Sequence, residues 1–198
     1  MLGKNTRRDL LRVGAAAVTS FGIGGRFAFA QEDLSPTPAC ESGQAATLRQ
    51  TEGPFYKPRT PQRSLLREPG MKGAPLDLSG FVLTRTCQPL ARVLVDLWHA
   101  DDKGEYDNAG FRLRGHQFTD AEGRYLFRTI APASYVGRTR HFHVKVAAQY
   151  RPVLTTQLYF PDEPQNLRDP LFRPELLMRV SRSGDLIRAR FDFVLDMS

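Results

Sequence analysis

The residues best suited to chemistry lie in the segment 138–146, where His141 and His143 are separated by one residue. In a β-strand, side chains two residues apart point to the same face, with Cα atoms about 6.5–7 Å apart. Two imidazoles in this arrangement can bind one metal ion from adjacent positions, and His is the commonest metal ligand. The alternative is a pair of surface histidines on a half-exposed strand. The spacing alone leaves both interpretations open.

Two tyrosines in predicted loops add a second kind of donor. Tyr135 lies six residues before His141, and Tyr106 lies in a loop that follows a predicted strand at 91–98. A phenol has a pKa near 10 and rarely binds a divalent ion at neutral pH, whereas a trivalent cation can hold it as phenolate. Two tyrosines with two histidines therefore suit ferric iron, unlike the thiolates of structural zinc. Each tyrosine taken alone is more often an ordinary loop aromatic.

Runs of alternating apolar and polar residues must hold these side chains in place. Such runs lie at 91–98, 124–130, 141–146 and 187–195. Because successive side chains in a strand point to opposite faces, each run has one side for a core. In the third run, Phe142, Val144 and Val146 lie opposite the two histidines. Only 174–180 could make a short helix, so we predict an all-β fold, an antiparallel β-sandwich.

The charge of the chain excludes one class of function. The 198 residues include 28 Lys+Arg and 21 Asp+Glu, a net charge of +7, with 41% hydrophobic residues. This composition is that of a folded globular protein and not of a disordered chain. Residues 31–198 carry 23 basic and 20 acidic residues, a net charge of only +3. A nucleic-acid-binding protein would keep a concentrated basic face, so we predict no nucleic-acid partner.

The first thirty residues are typical of an export signal. The pair Arg7-Arg8 precedes an apolar stretch at 13–25, and Ala28-Phe29-Ala30 resembles a cleavage site. The apolar stretch is shorter than the roughly 20 residues that span a bilayer. We therefore predict a twin-arginine signal peptide at 1–30, the twin-arginine export machinery as a partner, and a periplasmic or secreted protein.

The predicted mature chain begins with a polar lead-in at 31–50, followed by one domain at 51–198. Cys40 and Cys87 are its two cysteines. In an oxidising compartment they could form one disulfide, but the sequence leaves two separate buried thiols equally open.

Five stretches resemble the intradiol ring-cleavage dioxygenases, a family that includes catechol and protocatechuate enzymes. They are Thr51–Tyr56, Asp96–Asp101 with Gly104–Tyr106, Phe127–Pro132, Gly137–His143 and Thr156–Phe160. They occur in the family's order, and the resemblance covers roughly residues 50 to 195. It implies that the sandwich at 51–198 is of the intradiol dioxygenase type.

The resemblance also implies a cofactor, one mononuclear non-haem Fe(III) per chain, bound by two tyrosinates, two histidines and a hydroxide. Tyr106 and His141 match the equatorial pair of ligands, and Tyr135 and His143 match the axial pair. Tyr135 is further implied to be catalytic, because in this family that tyrosinate leaves the metal and takes a proton from the diol.

Four more residues match positions that contact the substrate. Arg138 matches a catalytic arginine beside the bound diol, Gln157 a glutamine near it, and Tyr159 a pocket tyrosine of the protocatechuate branch. Tyr56 matches a residue near the pocket mouth. The implied reaction inserts both atoms of O2 into a catechol-type aromatic diol. The ring opens between the two hydroxyl-bearing carbons and gives a muconate-type diacid.

Alternatives remain at this stage. One is an exported β-sandwich that only binds a protein partner, a sugar or copper, the last through His141 and His143. His99 and His116 are expected to have structural or solvent-exposed positions. The basic residues of 57–72 are expected to form a solvated loop or to attract an anionic substrate.

Two departures from the family bear on the pocket and on assembly. The connection from Tyr135 to His141 is shorter than in its well-known members, which predicts a more open pocket on that side. The helical segment that precedes the sandwich in catechol dioxygenases has no counterpart in the sequence. The oligomeric state is therefore left open, with a homodimer as one option.

Overall fold

The computed structural model describes residue 40 and residues 43–197, so the predicted signal peptide lies outside the described residues. The strands are β1 (Pro75–Thr84), β2 (Leu94–Trp98), β3 (Arg114–Phe118), β4 (Arg124–Ile130), β5 (His141–Ala147), β6 (Leu154–Tyr159), β7 (Arg179–Ser183), β8 (Leu186–Arg190) and β9 (Phe193–Leu195). Two short 3₁₀ helices, Pro164–Arg168 and Pro174–Leu176, separate β6 from β7. No helix in this part of the chain is long and apolar enough to cross a membrane.

The strands form two sheets, which confirms the predicted all-β sandwich. One sheet has the order β4-β1-β8-β7, with β9 also paired to β1, and the other has the order β3-β2-β5-β6. The second sheet is antiparallel throughout. In the first sheet, β1 pairs in parallel with both β8 and β9. The alternation of side chains is the same in parallel and antiparallel strands, so it could not reveal these two pairings.

Apolar side chains from both sheets fill the space between them. Phe142, Val144 and Val146 of β5 are buried in this core, as their alternation predicts, together with Leu78 of β1 and Phe127 of β4. The other face of β5 therefore carries its histidines on the outer side of the four-stranded sheet. Burial of these large apolar side chains, each stabilising by roughly 1.5–3 kcal/mol, fixes the register of the strand.

Two element boundaries differ from the sequence-based expectation. The helix expected at 174–180 is only the turn Pro174–Leu176, because the Met178 amide donates to the Tyr159 carbonyl and draws the chain into extended pairing. The single run expected at 187–195 is two strands. It breaks at Asp192, whose carboxylate accepts the backbone amide of Phe81.

The described part of the lead-in contacts the sandwich along its length. The amides of Gly43, Thr47 and Gln50 donate to carbonyls of residues 85, 194 and 155, respectively. Cys40 and Cys87 form a disulfide with Cα atoms 5.7 Å apart, so of the two alternatives the structure has the bridge. A crosslink that closes a loop with a sequence separation of 47 residues restricts the unfolded chain and holds the lead-in to the domain.

Candidate metal centre

The two histidines of β5 point to one spot on the outer face of the four-stranded sheet. His141 and His143 are 2% and 1% exposed. Nδ1 of His141 lies 2.6 Å from the Thr139 carbonyl. A carbonyl can only accept, so Nδ1 carries the proton and Nε2 carries a free lone pair. This Nε2 lies 3.1 Å from Nε2 of His143.

Both predicted tyrosine ligands join them. The ring centroids of Tyr106 and Tyr135 are 5.6 Å apart, and the two rings meet edge to face. Tyr106 lies 6.2 Å from His143, and Tyr135 lies 5.8 Å from His141, again between ring centroids. The structure thus brings together four side chains from β5 and from the β2–β3 and β4–β5 loops. Both tyrosines are only half-buried, so the centre opens to solvent on their side.

Close packing of the two tyrosine loops depends on Gly104. Its φ is +85°, and an added Cβ would lie 2.6 Å from the Ser134 carbonyl oxygen and 3.1 Å from Cβ of Tyr135. Only glycine can adopt this backbone conformation without strain while allowing such an approach. The Asp101 carboxylate fixes the same turn by accepting the amides of Lys103 and Glu105. Tyr106 is therefore presented by a defined loop.

The connection from Tyr135 to His141 begins with a tight turn. The Arg138 amide donates to the Tyr135 carbonyl at 2.7 Å, and Gly137 between them has a φ of +75°. The short spacing noted in the sequence is therefore a β-turn. It places Tyr135 and Arg138 side by side.

The donor set fits a trivalent metal ion. Two nitrogens bound to one ion at about 2.1 Å and a near-right angle would lie about 3 Å apart, close to the observed separation of the two Nε2 atoms. Among the residues that the structure describes, no group of three or more His, Cys, Asp or Glu is placed to hold a metal. Any ion at this centre would need the phenol oxygens, and these are donors that a hard, highly charged cation favours.

Burial lowers the pKa values of the two histidines and raises that of Tyr106. It lowers the pKa of His141 to about 4 and that of His143 well below its usual value, so both imidazoles are neutral and able to bind a metal at pH 7. Burial also raises the pKa of Tyr106 far above its usual value. Without a metal this tyrosine is a phenol, and only a strong positive charge can convert it to phenolate.

The segment Thr51–Tyr56 covers three of the aromatic rings. A Cβ on Gly53 would lie 3.2 Å from Cε1 of His143, and Phe55 stacks on Tyr106 with centroids 4.5 Å apart. Tyr56 packs on Trp98, and its hydroxyl lies 3.5 Å from the Asp96 carboxylate. Burial and this carboxylate raise the pKa of Tyr56 to about 12. The hydroxyl of Tyr56 is thus directed to Asp96.

Arg114 is a buried cation that sequence analysis missed. It is 1% exposed and lies with its guanidinium carbon 5.8 Å from the centroid of the Tyr106 ring. Its Nε and Nη1 donate to the carbonyls of Asp107 and Phe55. It therefore links the Tyr106 loop to the segment Thr51–Tyr56 and places a positive charge beside a candidate tyrosinate. Nothing in the local spacing of the sequence distinguished it from other arginines.

Arg138, the predicted substrate arginine, is held on two sides. Its Nε donates to both carboxylate oxygens of Asp169 at 3.0 and 2.8 Å, and its Nη2 donates to Oε1 of Gln157 at 2.5 Å. Asp169 was not identified from the sequence. It lies 31 residues from Arg138 and follows a 3₁₀ helix, with no motif to single it out.

Gln157 and Tyr159 are both fully buried on β6. Nε2 of Gln157 donates to the Thr51 carbonyl. The Tyr159 hydroxyl lies within 3.0 Å of three acceptor oxygens, on Gln50, Gln157 and Leu171. One hydroxyl proton serves these three acceptors, so Tyr159 remains a phenol and fixes Gln157. Its predicted contact with substrate stays a prediction.

His99 and His116 lie outside the centre. His99 is 1% exposed, donates from Nδ1 to the Ala100 carbonyl and accepts at Nε2 from the Thr129 hydroxyl, both at 2.7 Å. His116 lies on β3, and its Nδ1 is 3.2 Å from the Thr60 hydroxyl. Of the basic residues at 57–72, Lys57 donates to carbonyls of the Tyr106 loop, so it also has a structural contact.

The buried position of His99 predicts a pH-dependent stability. Burial lowers its pKa from 6.5 to about 4 in the folded protein. Below pH 6.5 the unfolded chain takes up a proton that the folded chain refuses, so stability falls between pH 6.5 and pH 4. We expect His99→Gln to remove up to about 3 kcal/mol of this fall. Urea unfolding at several pH values would measure it, with His116→Gln as the control that keeps the wild-type slope; an unchanged slope in His99→Gln would contradict the assignment.

The sequence of the sandwich is similar to a known protein family and to several characterised proteins. Residues 51–197 match the Dioxygenase_C family, described as dioxygenase. Protocatechuate 3,4-dioxygenase beta chain from Burkholderia cepacia is 32% identical over 152 residues, which cover 62% of this chain and 65% of that protein. Hydroxyquinol 1,2-dioxygenase from Rhizobium sp. (strain MTP-10005) is 30% identical over 70% of this chain and 56% of that protein. This chain therefore matches less than two thirds of the length of either relative.

A solved structure matches over a larger share of the chain. It is the dioxygenase domain of a dioxygenase carbohydrate-binding protein fusion from the cellulolytic bacterium Streptomyces sp. SirexAA-E. It is 51% identical, with a TM-score of 0.74, over 83% of this chain and all of that one. The structure of 3-chlorocatechol 1,2-dioxygenase from Rhodococcus opacus 1CP is 28% identical, with a TM-score of 0.72, over 77% of this chain and 73% of that one.

Proposed function

The chain belongs to the family of intradiol ring-cleavage dioxygenases, and on this basis we propose that it is a non-haem Fe(III)-dependent enzyme that cleaves a catechol-type aromatic diol. Both atoms of O2 enter the product, a muconate-type diacid. The observation that carries the proposal is the convergence of four side chains, Tyr106, Tyr135, His141 and His143, on one half-open centre.

The proposed ligands are these same four side chains. Neutral imidazoles at His141 and His143 would supply two nitrogens, and Tyr106 and Tyr135 would supply two phenolate oxygens. Two phenolates balance most of the charge of a ferric ion. The buried Arg114 beside Tyr106 adds a fixed positive charge that favours the phenolate. When bound, the ferric ion would act as a Lewis acid that withdraws electron density from the diol and activates its ring towards O2.

Tyr135 is the proposed base. It is half-buried and lies in a loop, whereas both histidines are fixed on a strand. As tyrosinate, it would take a proton at its phenolic oxygen from one hydroxyl of the incoming diol. Its neighbour Arg138 is positioned by the turn at Gly137 and by Asp169. Arg138 would donate hydrogen bonds to oxygen atoms that gain negative charge as the ring reacts.

The remaining elements of the proposal concern location and pocket contacts. The sequence of residues 1–30 supports twin-arginine export to the periplasm or beyond, and the disulfide is compatible with an oxidising compartment. Gln157 is the proposed substrate contact beside Arg138, and Tyr159 would hold that glutamine in place. Tyr56 would line the pocket mouth while its hydroxyl is bound to Asp96.

Metal analysis and a visible spectrum test the proposal. The purified full-length chain, supplied with iron and air, should contain one iron atom per chain and be coloured by phenolate-to-Fe(III) charge transfer. Catechol should change the spectrum and be consumed with one O2 per diol, giving a muconate-type product. Fully iron-loaded but colourless protein would contradict the tyrosinate ligands. Bound copper without ring cleavage, or no stoichiometric metal at all, would favour a binding module.

A further inference from the structure

We propose that Asp169 determines the charge preference of the pocket: by neutralising Arg138, it favours catechols without a carboxylate on the ring. The inference rests on the proposed ring-cleavage function and adds the substrate class. Protocatechuate, which carries such a carboxylate, would then be a poor substrate, and catechol or an alkylcatechol a good one.

The ion pair between Arg138 and Asp169 is rigid. The side chain of Asp169 is 0% exposed, and both of its oxygens lie within 3.0 Å of Nε of Arg138. Each oxygen also accepts a backbone amide, Oδ1 from Leu171 at 2.9 Å and Oδ2 from Thr139 at 3.0 Å. A carboxylate held by this many donors cannot swing away from the arginine.

The contacts of Arg138 balance its positive charge but leave some of its N–H groups available to a substrate. Asp169 occupies Nε, and Gln157 occupies one hydrogen of Nη2, so both hydrogens on Nη1 and the second hydrogen on Nη2 are the donors left for a substrate oxygen. The positive charge of the guanidinium is already balanced by the adjacent carboxylate. Arg138 can therefore donate hydrogen bonds to a neutral diol without offering a free cation to a carboxylate.

Two other cations on β5 and just before it are balanced in the same way. Arg140 is paired with Glu163, and Lys145 is paired with Glu52. A carboxylate that entered near these residues would meet an ion pair and not an isolated positive charge. Displacing a paired carboxylate would leave that group without its partner, which offsets the gain.

Three further arginines, Arg114, Arg168 and Arg173, are poorly placed for a substrate carboxylate. Arg173 is exposed and donates to the carbonyls of Pro170 and Phe172. Arg114 is 1% exposed, faces the ring of Tyr106 and donates to backbone carbonyls. Arg168 lies on the exposed side of the 3₁₀ helix before Asp169, where water and salt screen its charge. A ring carboxylate would thus lose its hydration without gaining a counter-ion.

The test compares substrates in the iron-loaded wild-type protein and in Asp169→Asn. In the wild type, kcat/KM for protocatechuate should be at least about tenfold below that for catechol or 4-methylcatechol, the cost of a partly buried, unpaired carboxylate. Asp169→Asn leaves the charge of Arg138 unbalanced and should raise the protocatechuate-to-catechol ratio about tenfold. Arg168→Gln, a charge change one residue away, should leave the ratio within about twofold.

Binding gives a second measurement that does not depend on turnover. Phenol should bind the wild-type protein more tightly than 4-hydroxybenzoate, and Asp169→Asn should reverse or remove this order. This comparison in the wild type also applies if the variant does not fold. The proposal is overturned if the wild type accepts protocatechuate as well as catechol, or if a folded Asp169→Asn keeps the wild-type ratio. Failure to cleave any diol would instead contradict the proposed function.

Discussion

His143→Ala is expected to remove iron, colour and ring cleavage together. Nε2 of His143 lies 3.1 Å from Nε2 of His141, and alanine removes one of the two neutral nitrogens that the centre offers. Three remaining donors, two of them phenols that must lose a proton to bind, hold a ferric ion far less well. We expect iron affinity to fall by at least about 100-fold, since even the loss of a group that only supports a ligand costs 10- to 100-fold. Metal analysis and the visible spectrum would measure this loss.

A matched variant separates this effect from damage to the fold. His116→Ala removes an imidazole from β3 of the same sheet, where its ring contacts Thr60 and Phe118. It should keep stoichiometric iron, the colour and the wild-type rate. His143 also stacks on Trp98, with centroids 5.0 Å apart, so thermal unfolding must show that both variants are folded. If folded His143→Ala retained iron and colour, His143 would not be a ligand.

The face of β5 that carries the histidines could be predicted because it depends on local information. Apolar side chains at every second position must enter the core, so the intervening His141 and His143 must lie on the opposite face. The same reasoning correctly gave the bounds of β4, Arg124–Ile130. The chemistry of Tyr106 and Tyr135 was inferred from residue type and family resemblance. Their convergence required the folded loops, which no periodicity describes.

The contacts missed by sequence analysis are those made across long separations. Asp169 reaches Arg138 from 31 residues away, and Arg114 reaches the Phe55 carbonyl from 59 residues away. Single charged residues in loops or at strand ends are common, so neither position carried a signal before the fold was known. The disulfide is similar, because two cysteines permit one pairing but do not fix the distance between them. Each of these contacts depends on the tertiary arrangement of the sandwich.

Arg138→Gln is expected to lower kcat/KM for catechol by about 10²- to 10³-fold while iron and colour remain. The guanidinium is not among the four candidate ligands, so metal content should not change. A positioned donor that meets developing negative charge contributes on this scale when removed. The loss should fall mainly on kcat, because the interaction strengthens as charge builds up in the reaction. Arg138→Lys should recover little of the rate, since an ammonium cannot contact Asp169 and Gln157 as the guanidinium fork does.

Because Arg138 is paired with the buried Asp169, the stability of the variant must be measured as well. Removing the arginine leaves Asp169 unpaired, and breaking a buried ion pair destabilises a protein by about 3–5 kcal/mol. The double variant Arg138→Gln/Asp169→Asn should regain part of that stability but none of the rate, because the donor to the substrate is still missing. Arg140→Gln, which removes a guanidinium two residues away that pairs with Glu163, should change kcat little. Wild-type activity in Arg138→Gln, or recovery of the rate in the double variant, would assign the arginine to folding alone.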